Sequence, residues 1–193
     1  GKKSVWFQDL AQAAAYAETL GTWHNVYFGL GLSDRDYGGN HRVLATDVAG
    51  IPGLWVDVDI AGPAHTKPNL PPTAGDALRL FESLPLQPNY IVNSGSGFHA
   101  YWLFSEPWMF EDETERVTAA TLIRRWQGTI RVAAQKQGWV IDPTHDLTRV
   151  LRVAGTRNLK HDPPHPVLVI ANEAMSYSTD SFDQYLAEDT GTV

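Results

Sequence analysis

The sequence predicts an α+β domain with a largely antiparallel sheet, and three observations support this. First, the period of two in Leu54-Trp-Val-Asp-Val-Asp-Ile60 puts Leu54, Val56, Val58 and Ile60 on one face of a strand and Trp55, Asp57 and Asp59 on the other. Second, Tyr90–Asn93 and Phe98–Phe104 flank Ser94-Gly-Ser-Gly97, the pattern of two strands joined by a short glycine-containing turn. Third, Glu111, Asp112, Glu113 and Glu115 open a stretch with apolar residues at Val117, Ala120, Ile123, Ile130 and Ala133, which predicts the longest helix, ending near Gln137 before Gly138.

The other elements follow in chain order. Asp9 precedes the alanine-rich run Leu10–Leu20, a good helix former with Gly21 as its stop. Asn25–Leu30 reads as a strand and residues 33–40 as a loop. Gly62–Pro72, with four prolines, is a long loop, and Thr73-Ala-Gly-Asp76 forms a capping box that opens a helix through Phe81. Trp139–Ile141, Arg149–Val153 and Val167–Ile170 are short β-type runs, whereas Asn172–Val193 is weakly patterned. We expect a catalytic domain over residues 1–176 and a linker-like tail over 177–193 that leads to a further domain.

Composition narrows the function classes. With 193 residues, 43% of them hydrophobic, the chain can bury one core. No stretch approaches the roughly 20 apolar residues of a membrane span, so the expected location is cytoplasmic. The absence of cysteine excludes disulfide scaffolds, thiol catalysis and thiolate zinc sites, leaving metal sites built from oxygen and imidazole. The net charge of −7 hides an asymmetry, because residues 116–160 hold nine Lys/Arg against Asp142 and Asp146. An anionic partner could be held there while the acidic remainder holds cations.

Three constellations can carry chemistry. Asp57 and Asp59 project from the same strand face, on the order of 7 Å apart at Cα, and a shared hard cation would relieve their repulsion. By itself a D-x-D strand is more often a solvated face. In Asn93-Ser-Gly-Ser-Gly-Phe-His99, turn amides, Ser94, Ser96 and a protonated His99 could meet a phosphate, although an ordinary hairpin turn has the same look. In Trp139–Lys160, Asp142 or Asp146 could complete a three-acid metal cluster, with Arg149, Arg152 and their neighbours binding the anionic substrate. The bland alternatives there are a turn starter and surface ion pairs. His24, His41, His65, His145, His161 and His165 show no ligand spacing.

Taken together, the order of a D-x-D strand, a G-x-G-x-H hairpin and an acid followed by Arg149-Val-Leu-Arg-Val-Ala-Gly-Thr-Arg-Asn-Leu-Lys160 resembles the archaeo-eukaryotic primase superfamily, in particular the primase-polymerases of plasmids, phages and mobile elements. The resemblance runs from about Asn25 to Ile170. It implies a two-lobed catalytic core whose acids sit on an RRM-like antiparallel sheet. It implies two Mg²⁺ or Mn²⁺ ions on Asp57, Asp59 and Asp142, with Asp146 as the fallback third acid. His99, Ser94, Ser96, Gly97, Arg149 and Arg152 would bind the nucleotide. The serine of the family's S-x-H form falls on Gly97, so another group must take its contact. The implied activity is template-dependent nucleotidyl transfer, making or extending short strands. The implied partners are nucleoside triphosphates, single-stranded or primed DNA, and a helicase domain or subunit beyond the C-terminus, with no membrane. Alternatives are a metal-dependent nuclease or nucleotide cyclase, or a replication-initiation module that binds nucleic acid without catalysis.

Overall fold

The computed structural model describes residues 3–39 and 41–188. Its centre is a four-stranded antiparallel sheet of β2 (Gly50–Asp59), β3 (Tyr90–Asn93), β4 (Gly97–Met109) and β8 (Leu168–Asn172), in the order β2-β4-β3-β8. With α2 (Ala74–Glu82) between β2 and β3, and α3 (Glu113–Gln135) between β4 and β8, the chain runs β-α-β-β-α-β through this unit. A smaller antiparallel pair joins β1 (Tyr27–Gly29) to β5 (Val150–Arg152), and a two-residue pair joins β6 (Arg157–Asn158) to β7 (His165–Pro166). The α+β architecture with its antiparallel acid-bearing sheet is the one expected.

Local chemistry accounts for the element ends. Asp9 Oδ1 accepts from the amides of Ala11 and Gln12 at 2.7 and 3.2 Å, which caps α1 (Leu10–Gly21). Thr73 and Asp76 form the expected reciprocal box at the start of α2, and Asp112 caps α3 through the Glu115 amide. Strand β2 begins four residues earlier than the alternation suggests. Pro52, which has no amide to donate, is tolerated because it sits at a bulge between Ile51 and Gly53.

Leu54, Val56 and Val58 pair across β4 with Trp102, Ala100 and Phe98, making one fully buried sheet face. Trp126 of α3 packs edge-on to Trp102, with ring centres 5.2 Å apart, which puts the helix on that face. The buried stripe of α3 is Ala119, Leu122, Ile123, Trp126, Gln127, Ile130 and Ala134. Val117, expected on it, is 55% exposed, because the stripe is set by Trp126 and Ile130 one turn at a time rather than by the first apolar residue met.

Two short runs differ from expectation. Trp139–Ile141 forms no strand; Ile141 is buried in the core, and the Trp139 and Val140 amides donate to Ala134 O and Asn69 O at 3.0 and 2.7 Å. The segment after Asn172 packs on the domain as far as residue 188. Leu103 O accepts from the Tyr177 amide, Tyr177 O accepts from the Ser105 amide, and a 3₁₀ turn over Thr179–Tyr185 buries Phe182 completely, 5.0 Å from Trp126. One buried aromatic produces no periodicity, so the packing is invisible in the pattern. Residues 189–193 of the expected tail lie outside the described residues. No described helix is long and apolar enough to cross a membrane.

Candidate active site

The second face of the sheet, opposite α3, carries Trp55, Asp57 and Asp59 on β2 and Gly97, His99 and Tyr101 on β4. Antiparallel register sets Asp57 opposite His99 and Asp59 opposite Gly97. One consequence is that His99 Nε2 lies 3.7 Å from Asp57 Oδ1. Directly opposed residues share a face, so the alternation that paired the two carboxylates in sequence also delivers the imidazole to them. The β1–β5 pair stands over this face, with Phe28 against the Tyr101 ring. Between them lies a cavity of about 210 Å³ lined by Asp57, Asp59, Ser94, Ser96, His99 and Arg152, together with Tyr27, His65, Asn158 and Lys160.

Electrostatics separate the charged groups. Burial pushes the Asp57 carboxyl up to about 6, opposed by the charges of Arg149, His65 and Arg152, and reinforced by Asp142. Asp59 is also raised, first by burial and then by Asp57. Burial pushes His99 down to about 4, with Arg152 acting the same way. His99 is therefore neutral near pH 7, not the protonated ring considered from sequence. The Arg152 guanidinium is positioned by Asn25, whose Oδ1 accepts from Nη1 at 2.6 Å, and by the Tyr27 ring at 4.8 Å.

The third acid arrives by a different route. Trp55 Nε1 donates to Thr144 O at 2.7 Å, and buried Gln127 ties the same joint twice. Gln127 Nε2 donates to Trp55 O at 2.8 Å, and Oε1 accepts from the Thr144 amide at 2.9 Å. Trp55 is two residues before Asp57 and Thr144 two after Asp142, so this joint brings Asp142 within electrostatic reach of both Asp57 and Asp59. Asp146 is ion-paired with Arg149 at 2.7 Å and is not among the leading charges that shift either acid. Asp142 itself is paired with Lys67. Among the described residues, no group of three or more His, Asp or Glu side chains is placed to hold a metal ion. The oxygen donors suit Mg²⁺ or Mn²⁺, and two of them are set in place by strand register.

The turn is more engaged than its sequence suggests. Ser94 Oγ donates to Gly97 O at 3.1 Å, and the Gly95 amide donates to Asn93 Oδ1 at 2.8 Å. Ser96 Oγ lies 2.7 Å from His161 Nε2 and accepts from Asn158 Nδ2 at 3.2 Å. Gly95 has φ +89°, a conformation that favours glycine. Gly97, where the resembled family has serine, has no space for a side chain: a Cβ there would lie 2.2 Å from Val58 O. Arg149 does not line the cavity; it reaches Asp57 only through its field.

Tyr27 and the Gln127–Thr144 joint escaped the sequence reading, and His65 and His161 were set aside there for lack of ligand spacing. Asn158 and Lys160 lie inside the arginine-bearing motif Arg149–Lys160, which was the available signal for them. His65 and His161 sit in proline-rich loops and offered none.

No family model and no curated protein matches the sequence. Among solved structures, the chain is similar to the archaeo-eukaryotic primase (AEP) domain of the cyanophage S-2L primase-polymerase, with a TM-score of 0.58 and 15% identity over 95% of this chain and 86% of that one. At that identity the likeness speaks for the fold, and the fold of this chain is that of a primase-polymerase catalytic domain.

Proposed function

We propose that the chain is a template-dependent nucleotidyltransferase, a DNA primase or polymerase that makes or extends short strands from nucleoside triphosphates. The single observation behind this reading is the register that opposes Asp57 to His99 and Asp59 to Gly97 on the floor of one cavity walled by Arg152 and Lys160. Acids at one side and cations at the other suit a triphosphate whose charge must be neutralised as it reacts.

In this reading Asp57 and Asp59, with Asp142, hold two Mg²⁺ or Mn²⁺ ions. When bound, these ions supply activation of a 3′-hydroxyl and charge neutralisation on the triphosphate. Neutral His99 donates a ring N–H to a phosphate oxygen while its neighbour Tyr101, buried beneath, excludes water from the floor. Arg152 offers a guanidinium whose direction is already fixed by Asn25 and Tyr27, so little ordering is left for the moment of binding. Lys160 adds a second cation at the same wall. Ser96 fixes the turn through His161 and Asn158 and presents its oxygen to the cavity. DNA as template belongs to the same proposal.

Incorporation of labelled nucleotide on a primed single-stranded template, with Mg²⁺ or Mn²⁺, tests it. The wild type extends the primer, and Asp57→Asn lowers the rate about 100-fold or more. Release of fragments or of a cyclic product without extension would instead support nuclease or cyclase chemistry.

A further inference from the structure

The loop between β2 and α2 places two basic side chains on the candidate metal ligands. His65 Nε2 lies 3.2 Å from Asp59 Oδ1, and Lys67 pairs with Asp142. The loop is tied at several points. Ala61 N donates to Pro71 O at 3.0 Å, Gly62 and His65 exchange backbone bonds, and Asn69 O accepts from the Val140 amide two residues before Asp142. Asn69 holds φ +63°, the left-handed turn that lets the loop reach that segment. One loop therefore bridges the strand that carries two acids and the irregular segment that carries the third.

We propose that Lys67 is a positioning residue, a tethered cation that holds Asp142 in the metal-free protein and is displaced from it by the divalent ion, freeing the loop. This deepens the reading of Asp57, Asp59 and Asp142 as metal ligands and rests on it. Three observations carry it. The Lys67 ammonium is the group on Asp142, and its charge also reaches Asp59, so it holds the third acid within range of one member of the strand pair. The two side chains are 59% and 47% exposed, and ion pairs at that exposure hold only weakly against competitors. A divalent ion takes several oxygens at once and carries twice the charge, so it wins Asp142 wherever Asp57 and Asp59 already hold it. The chain thereby keeps its third acid near the site without leaving three like charges uncompensated.

The experiment titrates Mn²⁺ against the metal-free protein by electron paramagnetic resonance and follows amide exchange of residues 62–70 and Val140 with and without Mn²⁺. Lys67→Met is expected to bind Mn²⁺ about three- to tenfold more tightly than wild type, and Lys67→Arg, which keeps the cation, to stay within about twofold. Mn²⁺ is expected to speed exchange in the wild-type loop, and Lys67→Met to exchange fast without metal. Equal Mn²⁺ affinity in Lys67→Met and wild type overturns the proposal, as does a loop whose exchange ignores Mn²⁺. Equal tightening in Lys67→Met and Lys67→Arg also overturns it, since lost packing would then be the cause. If Asp57→Asn abolishes Mn²⁺ binding while Lys67→Met binds as wild type, this inference fails alone. A wild type that binds no Mn²⁺ overturns the metal-ligand reading and this inference with it.

Discussion

Asp57 and Asp142 are assigned to the same ions but are held in opposite ways. Asp57 stands on the long strand β2, laddered to β4 opposite His99, with its side chain 29% exposed and its acidity weakened by burial. Asp142 stands on irregular chain, 47% exposed, with Lys67 as its partner. The strand wall of the site is fixed by the backbone ladder between β2 and β4, which cannot shift one carboxylate without shifting the sheet. The loop wall depends on a few side-chain bonds, chiefly those of Gln127 and Trp55 to Thr144. The difference teaches that the site has a rigid half, which sets the acid pair, and an adaptable half, which brings the third acid.

The comparison can be broken most severely at Gly97. A Cβ there meets Val58 O at 2.2 Å, between the paired strands β4 and β2, where backbone and not a flexible side chain stands in the way. Gly97→Ala is expected to lose about 3 kcal/mol or more in urea unfolding, and so is Gly97→Ser, despite the serine of the resembled family. A Gly97→Ser variant as stable as wild type would show that the strand wall is not rigid.

The next effect is a pair of opposed pH dependences in the metal-free protein. The Asp57 carboxyl is raised from 3.8 to about 6, so the folded state binds its proton more tightly than the unfolded state. Its contribution is present at low pH and is lost as pH rises through about 6. His99 is lowered from 6.5 to about 4, so its contribution is present above 6.5 and is lost as pH falls through about 4. Each swing is roughly 3 kcal/mol before solvent at the pocket mouth reduces that of Asp57. Between about 4 and 6 the two cancel in the wild type. Asp57→Asn is expected to gain stability as pH rises through that window, and His99→Gln to lose it. The same slope in both variants would contradict the assignment.

A smaller effect sharpens the loop wall. Gln127→Ala removes the bonds to Trp55 O and the Thr144 amide, and is expected to cost about 2 kcal/mol in thermal unfolding. It should also weaken Mn²⁺ binding while Asp57 and Asp59 stay in register. Unchanged Mn²⁺ affinity would mean that Asp142 does not need this joint.

The strand wall was legible in the sequence and the loop wall was not. Alternation around Asp57 and Asp59, and the short turn before His99, are local signals, and β-pairing translates them directly into one face. The burial of that face was hidden: Trp55 reads as a residue on a wet side, yet Thr144, 89 residues away, covers it. Asp142 was preferred to Asp146 through the resemblance, whereas the long-range contact that carries Asp142 toward the acid pair had no local signal. The neutral state of His99 followed from the roof of β1 and β5, which periodicity cannot announce. His65, Lys67 and His161 lie in proline-rich loops, whose path is set by scattered backbone bonds rather than by pattern.

The most direct test of the central claim, that Asp57, Asp59 and Asp142 share divalent ions, is Mn²⁺ binding measured by electron paramagnetic resonance on the wild type and on single Asp→Asn variants at 57, 59, 142 and 146. The account predicts loss of binding in Asp57→Asn and Asp59→Asn, weakening in Asp142→Asn and no change in Asp146→Asn. Wild-type affinity in Asp57→Asn and Asp59→Asn would contradict it, and so would an Asp146→Asn variant more impaired than Asp142→Asn.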